Sequence, residues 1–499
     1  MQTSDQNETP LSRFRESLNT VDVTSDLSKG LVGASAKVSG PYGSKELIYA
    51  DYVASGRALH QVESFVLEHV LPFYANSHTE ASFCGGAMTR MRREARAVIG
   101  QLCGCNDQHA VIFTGSGATA GLNRLVSLLG VADTLAAGGQ VRIIIGPYEH
   151  HSNILPWRES GAEVVEIAEA FDGGPDLVQL AEVLQDTSFD LTICTLSAAS
   201  NITGITSDVA AITRMVKAAG AKMIWDYAGA APYLPIAMSM ADAAGLQAIE
   251  IDAIVVSPHK FIGGPGASGV LLVRRDAVVM RKPTWPGGGT VKFVSPQTHD
   301  YSDSLESREE AGTPNVIGDI RAALAFLVKD AIGAQTMAER NRELTQRAFR
   351  AWRDIPQLHL LGLTAPERLP IFSFQISNDK GGYVHQQLIT RMLSDRFGIQ
   401  ARGGCACAGP YVHRLLGIDE QGSQAIRQAI LSGNEIEKPG FTRLNFSVLL
   451  SDEKVQFILD AVARIAQDAS AFEQDYAVDL SRAIFSPRVA VEDELSLID

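Results

Sequence analysis

Six short apolar runs rich in β-branched residues, each separated from the next by a longer helix-compatible stretch, most strongly limit what this chain can fold into. They are Ala110–Thr114, Val141–Ile145, Leu191–Leu196, Ala221–Trp225, Ala253–Ser257 and Gly269–Val273. A strand that is apolar on both faces needs cover on both, and alternation with helices supplies it in a parallel, doubly covered sheet. The expected fold is therefore α/β, with a large domain built on a mostly parallel sheet. From about Asn315 onward, amphipathic stretches such as Ala323–Asp330 and Met337–Trp352 precede short strands around Ile371–Gln375 and Arg443–Val448. That change of pattern reads as a smaller α+β C-terminal domain. The expected division is an N-terminal extension over 1–40, the large domain over 41–314, the small domain over 315–475 and a tail over 476–499. Both ends are weakly periodic, and are expected to be loosely ordered or draped over a partner.

In an open parallel sheet, ligands bind beyond the carboxyl ends of the strands, so the residues that follow each run carry the functional information. Gly115-Ser116-Gly117-Ala118-Thr119 follows the first run and opens a helical stretch. Amides of a Gly-rich turn at a helix start attract an anion such as phosphate, and the Thr119 hydroxyl adds to that; the bland reading is a flexible connection. Glu149-His150-His151 follows the second run and places an imidazole where it can stack on a flat ring or move protons. Ser200-Asn201 follows the third. Asp226, after the fourth, is an acid at the end of an apolar strand and wants a cationic partner, such as a protonated pyridine nitrogen, unless it merely caps the next helix. After the fifth run, Ser257-Pro258-His259-Lys260 precedes Phe261-Ile262-Gly263-Gly264. A rim lysine beside an anion site, flanked by glycines, is a good imine former once its pKa is lowered. Any of these residues alone reads as an ordinary surface or capping group; together they describe one ligand with a phosphate, an aromatic ring, a pyridinium and an aldehyde.

Composition narrows the alternatives. The 499 residues carry a formal charge of −14, which disfavours nucleic-acid and anionic-membrane surfaces but leaves a local anion site open. The first residues lack the basic-then-apolar pattern of a secretory signal, and no apolar run reaches the roughly 18 residues of a membrane span. Six cysteines in so long a chain form no disulfide scaffold, and reduced thiols in a cytoplasm are the simplest expectation. C-x-C occurs twice, at Cys103-Gly104-Cys105 and Cys405-Ala406-Cys407, but neither pair has the usual zinc-knuckle spacing, and no metal is expected.

From about Tyr49 to Ala463 the chain resembles the class V aminotransferase family of pyridoxal 5′-phosphate (PLP) enzymes of fold type I, and within it the cysteine desulfurases and selenocysteine lyases. The resemblance rests on Gly117-Ala118-Thr119, Glu149-His150, Asn201, Asp226 and Ser257-x-His259-Lys260, and on Glu310-Ala311-Gly312-Thr313-Pro314-Asn315 and Arg402-Gly403-Gly404-Cys405-Ala406-Cys407. It implies that Lys260 forms the Schiff base with PLP, that Asp226 partners the pyridine nitrogen and that His150 stacks on the ring. Ala118, Thr119, Ser257 and His259 resemble the phosphate contacts, and Asn201 the group near the cofactor hydroxyl and the substrate. Thr290, after Gly287-Gly288-Gly289, resembles a residue that reaches the phosphate across the boundary of a homodimer. Arg443 matches the arginine that grips the substrate carboxylate.

The resemblance further implies an amino-acid substrate, deprotonated at Cα by Lys260. In the desulfurase reading a cysteine thiolate then takes the sulfur as a persulfide and alanine leaves, with a sulfur-acceptor protein as a further partner. Arg402, Cys407 and Pro410 reproduce the family's spacing of an arginine five residues before the nucleophile and a proline three after it, which favours Cys407 over Cys405. His150 and His151 are candidates for the group that activates the thiol. One departure stands out: Gly229 occupies the place, three residues after Asp226, where the family commonly carries a glutamine. The rival readings are a class V aminotransferase, C–S β-lyase or epimerase without persulfide chemistry, and a non-catalytic scaffold that binds a partner through its extensions.

Overall fold

The computed structural model describes residues 9–77, 79–242, 244–245, 248–362, 365 and 367–489. Near the amino end, helices α1 (Pro10–Ser17) and α2 (Val23–Lys29) precede a two-residue strand, β1 (Ile48–Tyr49), and the long helix α3 (Phe83–Leu102). The large sheet consists of β2 (His109–Gly115), β3 (Val141–Ile145), β4 (Glu163–Glu166), β5 (Leu191–Ser197), β6 (Lys222–Asp226), β7 (Ala253–Val256) and β8 (Gly269–Arg274). Between them lie α4 (Gly117–Leu128) and α5 (Val209–Ala218).

The sheet order is β2-β8-β7-β6-β5-β3-β4. The pairs from β7 through β6, β5 and β3 to β4 are parallel, as expected. The Gly269–Val273 run departs from that expectation: as β8 it lies antiparallel to both β7 and β2. Hydrophobic patterning reports burial on both faces and carries no direction, which is why the exception is not visible in it. The edge strand β4 is another departure, since its ends are Glu163 and Glu166 and no apolar run marks it.

Side chains alternate between two cores across this sheet. Phe113, Ile144, Leu196, Trp225 and Val256 face the core that includes helix α6 (Val316–Ile332), while Ile112, Ile143, Ile193, Ile224 and Val255 face the core under α4. This is the two-sided burial that requires strands apolar on both faces.

The second domain holds α7 (Ala334–Trp352), β9 (Leu358–Leu360), β10 (Ile371–Ile376), α8 (Gln386–Phe397), β11 (Ile399–Gln400), β12 (Arg402–Gly404), α9 (Gly409–Leu415), β13 (Phe441–Asn445) and α10 (Asp452–Glu473). Its sheet order is β9-β10-β13-β12, and its core gathers Trp352, Phe372, Phe374 and Phe446.

Packing crosses the expected domain limits in two places. Helix α6 lies in the large-domain core, with Ile320 and Ala322–Val328 buried, rather than in the small domain. Conversely, Ile48 and Ala50 belong to the small-domain core, because β1 pairs in parallel with β11 through Ile48↔Ile399 and Tyr49↔Gln400.

The described parts of both ends are ordered against their own chain. Thr9 and Ser12 form a reciprocal capping box on α1, and Leu11, Phe14, Leu18 and Leu27 enter the large-domain core. A hairpin of β14 (Tyr476–Asp479) and β15 (Ile484–Pro487) closes the described C-terminal end. Among the described residues, no helix is long and apolar enough to cross a membrane.

Candidate active site

A cavity of about 220 Å³ opens beyond the carboxyl ends of β2, β3, β5, β6 and β7 and is closed on one side by the small domain. Ala118, Thr119, His150, Asn201, Asp226, Ser257, His259, Lys260, Cys407 and Arg443 all line it. One expected site residue is elsewhere in this subunit. Thr290 is buried with its hydroxyl donating to the Gly287 carbonyl at 2.6 Å, and its neighbour Gly289 lines a different cavity together with Arg92, Arg96 and Glu310.

The floor is an anion cradle. Gly115 (φ +74°) and Gly117 (φ +64°) turn the chain from β2 into α4, and Ser116, which caps that helix, forms no side-chain hydrogen bond to it. A Cβ on Gly117 would lie 2.9 Å from Ser257 Oγ and 3.3 Å from His259 Cε1, so glycine is required for this approach. The Ala118 amide donates to Ser257 Oγ at 2.9 Å, and the Thr119 and Ser152 hydroxyls lie 2.7 Å apart. Hydroxyls, amides and a helix start converge here as a phosphate requires.

Beside the cradle stand Asp226 and Lys260. Asp226 ends β6, is 4% exposed, and accepts from the Ala228 amide at 2.8 Å. Burial raises its pKa, while that amide and the charge of Lys260 hold it down. Lys260 sits in a 3₁₀ turn directly after β7; burial pulls its amine down to about 8, against the opposing pull of Asp226. An amine poised there is partly neutral near physiological pH and able to act as nucleophile and base.

Burial also lowers His150 and His259 to about 4, with Lys260 as a second cause for each. Both rings are therefore neutral near pH 7. His150 Nδ1 accepts from the Ser152 amide at 3.1 Å, which assigns its proton to Nε2.

The opposite wall comes from the small domain. Arg402 on β12 and Arg443 on β13 are direct cross-strand partners, an arrangement in which two cations repel. Asp51 resolves it: Oδ1 accepts from Arg443 and Oδ2 from Arg402, each at 3.0 Å. Arg443 also donates to the Asn201 carbonyl at 3.0 Å, and its Nε is buried without a partner. Two adjacent guanidiniums at a cavity wall suit a carboxylate.

Asn201 Nδ2 donates to the Ala406 carbonyl at 2.9 Å, and Oδ1 is buried without a partner. Next to it, Gly229 leaves open a position where a Cβ would make only ordinary contacts, 3.5 Å from the Ala199 carbonyl and 3.6 Å from Asn201 Cβ. The place of the family glutamine is thus vacant in side chain but not closed by neighbours.

Both thiols of the second C-x-C are exposed, yet only Cys407 lines the cavity. Ala406 (φ +50°) and Cys407 (φ +57°) both adopt the left-handed region that non-glycine residues rarely enter. The first C-x-C belongs to another part of the fold. Cys103 is fully buried under the large domain, and burial raises Cys105 to about 12. Among the described residues, no group of three or more His, Cys, Asp or Glu is placed to hold a metal ion.

Sequence reasoning missed Asp51, the paired role of Arg402 and the setting of Glu149. Glu149 is 3% exposed, accepts from the Ser197 amide and hydroxyl at 2.8 Å each and from Asn153 Nδ2 at 2.5 Å, and is raised by burial to about 7. His151 also differs from expectation. Its Nε2 is occupied by the Gly409 amide at 3.0 Å, so that nitrogen is not free to take a proton from a thiol.

PLP fits these residues on the chemistry of the donors. An amine of lowered pKa suits its aldehyde, a buried acid its pyridinium, and the hydroxyl-lined helix start its phosphate, while the unmatched Asn201 Oδ1 leaves an acceptor for a ligand donor.

Comparison with known proteins agrees. A cysteine desulfurase of Pectobacterium atrosepticum is 30% identical over 73% of this chain and 84% of its own length. A probable cysteine desulfurase of Streptomyces coelicolor is 28% identical over the same shares. The fold superposes on the apo structure of a cysteine desulfurase from Thermococcus onnurineus NA1 with a TM-score of 0.71 at 21% identity, covering 90% of this chain and 99% of that one. With Escherichia coli cysteine desulfurase the TM-score is 0.68 at 22% identity, covering 90% and 100%. The family described as aminotransferase class-V matches residues 48–438, which contain every residue named above as lining the cavity except Arg443, and the chain belongs to that PLP-dependent family.

Proposed function

We propose that this chain is a cysteine desulfurase that removes sulfur, or selenium, from an amino acid as a persulfide on Cys407 and releases alanine. The observation that carries the reading is that Lys260 and the exposed thiol of Cys407 line one cavity from opposite domains, together with Arg402 and Arg443.

Arg443, supported by Arg402, binds the substrate carboxylate. Asp226 would keep the cofactor's ring nitrogen protonated, and the turn Gly117-Ala118-Thr119 with Ser257 and His259 would hold its phosphate. His150 presents a neutral ring with its proton on Nε2 and would face the cofactor's ring. When bound, PLP supplies an electron sink that stabilises the carbanion at Cα. Lys260 would hold the cofactor's aldehyde carbon through its amine, and burial, which lowers that amine to about 8, suits it to take the Cα proton of a bound amino acid. The Cys407 thiolate attacks the substrate sulfur: a new S–S bond forms, the substrate C–S bond breaks, and its electron pair returns to the carbon skeleton, which leaves as alanine after protonation. Two equivalents of an external thiol then supply the two electrons that reduce the persulfide, so that sulfide and the Cys407 thiol are released and the external thiols are left as their disulfide.

The working unit is a homodimer, whose assembly has to turn the buried Thr290 hydroxyl away from the Gly287 carbonyl for it to reach the partner's phosphate. Trp285 and Phe293, which flank it in sequence, are 52% and 54% exposed and give that surface apolar side chains to bury. Sedimentation velocity decides this point, and a monomer at micromolar concentration overturns it. The six cysteines are free thiols, consistent with a cytoplasmic enzyme, and the exposure of Cys407 leaves its sulfur within reach of an acceptor protein.

The direct test supplies cysteine and a reductant and measures sulfide and alanine. Wild type releases both in equal amounts, and Cys407→Ala stops release while retaining cofactor absorbance. Undiminished turnover by that variant overturns the nucleophile and leaves a lyase without persulfide chemistry.

A further inference from the structure

Cys407 sits in a loop whose own sequence does not favour its shape. Ala406 and Cys407 are consecutive non-glycine residues at φ +50° and +57°, so the conformation must be imposed from outside. Three hydrogen bonds from the large domain do this, and two of them come from one residue. Asn201 Nδ2 donates to the Ala406 carbonyl at 2.9 Å, the His151 amide donates to the Cys407 carbonyl at 2.8 Å, and the Gly409 amide donates to His151 Nε2 at 3.0 Å.

The bonds bracket the thiol on both sides in sequence, with His151 holding residue 407 by its backbone and residue 409 by its ring. Helix α9 begins at Gly409, and its cap residue, Ala408, offers no side-chain acceptor to the first amides. The imidazole supplies an acceptor that the loop itself lacks. Contact is close enough to specify both partners: a Cβ on Gly409 would lie 3.1 Å from His151 Nε2, tighter than a side chain tolerates without displacement. The ring must be neutral with its proton on Nδ1 to accept this bond, and burial and Arg158 lower its pKa in that direction.

We propose that His151 is the positioning residue of the thiol loop, fixing Cys407 at the cavity wall by accepting the Gly409 amide, and that it takes no proton from the thiol. This rests on the desulfurase reading for its consequence in turnover, but the geometry it asserts is testable without turnover.

The experiment uses the full-length holoenzyme in a Cys405→Ser background, with His151→Leu, which removes the acceptor, and His151→Asn, which restores a side-chain acceptor. Gly409→Ala disturbs the same bond from the other side. The first readout is the rate at which iodoacetamide alkylates Cys407, followed by peptide mass. The second is steady-state alanine release from cysteine, resolved into kcat and KM. The third is the change in cofactor absorbance on mixing with cysteine.

His151→Leu and Gly409→Ala are expected to change the alkylation rate severalfold and to lower kcat by about tenfold, within the range a misplaced reacting group produces, while KM and the absorbance change stay near wild type. His151→Asn is expected to recover most of both losses. Unchanged alkylation in His151→Leu overturns the proposal, as does a parallel loss of kcat, KM and cofactor absorbance, which marks a merely structural role. Failure of the desulfurase reading appears separately, as turnover that survives Cys407→Ala.

Discussion

The cavity has two walls built on different principles. On the large-domain side, each functional residue stands at the end of a buried strand or in the turn directly after it, and glycines press the backbone together. On the small-domain side, Cys407 rides an exposed loop in an unfavourable backbone conformation, and the arginines need an acid from residue 51 to stand side by side. A cofactor anchored by charge, phosphate and a covalent bond calls for fixed geometry before it arrives. A thiol that must reach a substrate and then surrender its sulfur to another molecule calls for access, and pays for it in local order. The two walls should accordingly fail differently when altered.

The largest effect is expected on the rigid side. In the proposed mechanism Lys260→Ala removes both the anchoring amine and the group that takes the Cα proton, while the cradle at Gly117–Thr119 and Asp226 stays intact. Alanine release should fall by about 10²–10⁴-fold, the usual worth of a positioned base, with PLP retained only by non-covalent contacts and lost on dialysis. Borohydride reduction followed by peptide mapping should label Lys260 in wild type. A label on any other lysine would undo the assignment and the contrast with it.

Glu149 gives the next effect, in stability. Its folded pKa of about 7 lies above the ordinary glutamate value near 4.5, so its contribution is complete below about 4.5 and is lost as pH rises through 7. With 3% exposure the full electrostatic cost applies, about 3 kcal/mol at roughly 1.4 kcal/mol per unit. His150 and His259 act in the opposite sense: with folded values of about 4 they add stability above about 6.5 that disappears as pH falls toward 4. The prediction therefore concerns a difference: the stability of Glu149→Gln relative to wild type should rise by up to about 3 kcal/mol between pH 4.5 and 8. Urea midpoints across that range would show it, and a difference independent of pH would mean that Glu149 is ionised throughout.

The same division separates what was legible in the sequence from what was not. Thr119, His150, Asp226 and Lys260 could be read because each follows an apolar run directly, and strand followed by rim residue is a local pattern. The antiparallel course of β8 could not, since alternating burial is the same in either direction. Asp51 escaped for a different reason. It becomes part of the site only because Ile48–Tyr49 pairs with Ile399–Gln400, some three hundred and fifty residues away, and brings the acid between two arginines. His151 is visible in the sequence as a residue, but its bond to the Gly409 amide is not, because an amide leaves no trace in residue type. Helix α1 shows the opposite case: Leu11, Phe14 and Leu18 have helical spacing, but eight residues are too few for the pattern to stand out.

The smallest effect sharpens the comparison most, because Asp51 joins the two walls. It is 8% exposed and carries the only negative charge shown bonded to either arginine of the cavity among the described residues. Asp51→Asn keeps the shape and one acceptor but removes the charge that lets Arg402 and Arg443 remain cross-strand neighbours. Arg402, half exposed, can swing into solvent; Arg443, buried, cannot, so the pair should lose its side-by-side geometry with little loss of fold. A carboxylate bound by one guanidinium instead of two gives up about one charge-assisted hydrogen bond, and KM for the amino acid should rise about tenfold with kcat within about twofold. The cofactor should stay bound, since no cradle residue is bonded to Asp51, while loss of the Asp51 charge lets the Lys260 amine fall somewhat further. If kcat falls with KM steady, Asp51 instead serves the thiol loop that continues from Arg402, and the substrate grip belongs to Arg443 alone.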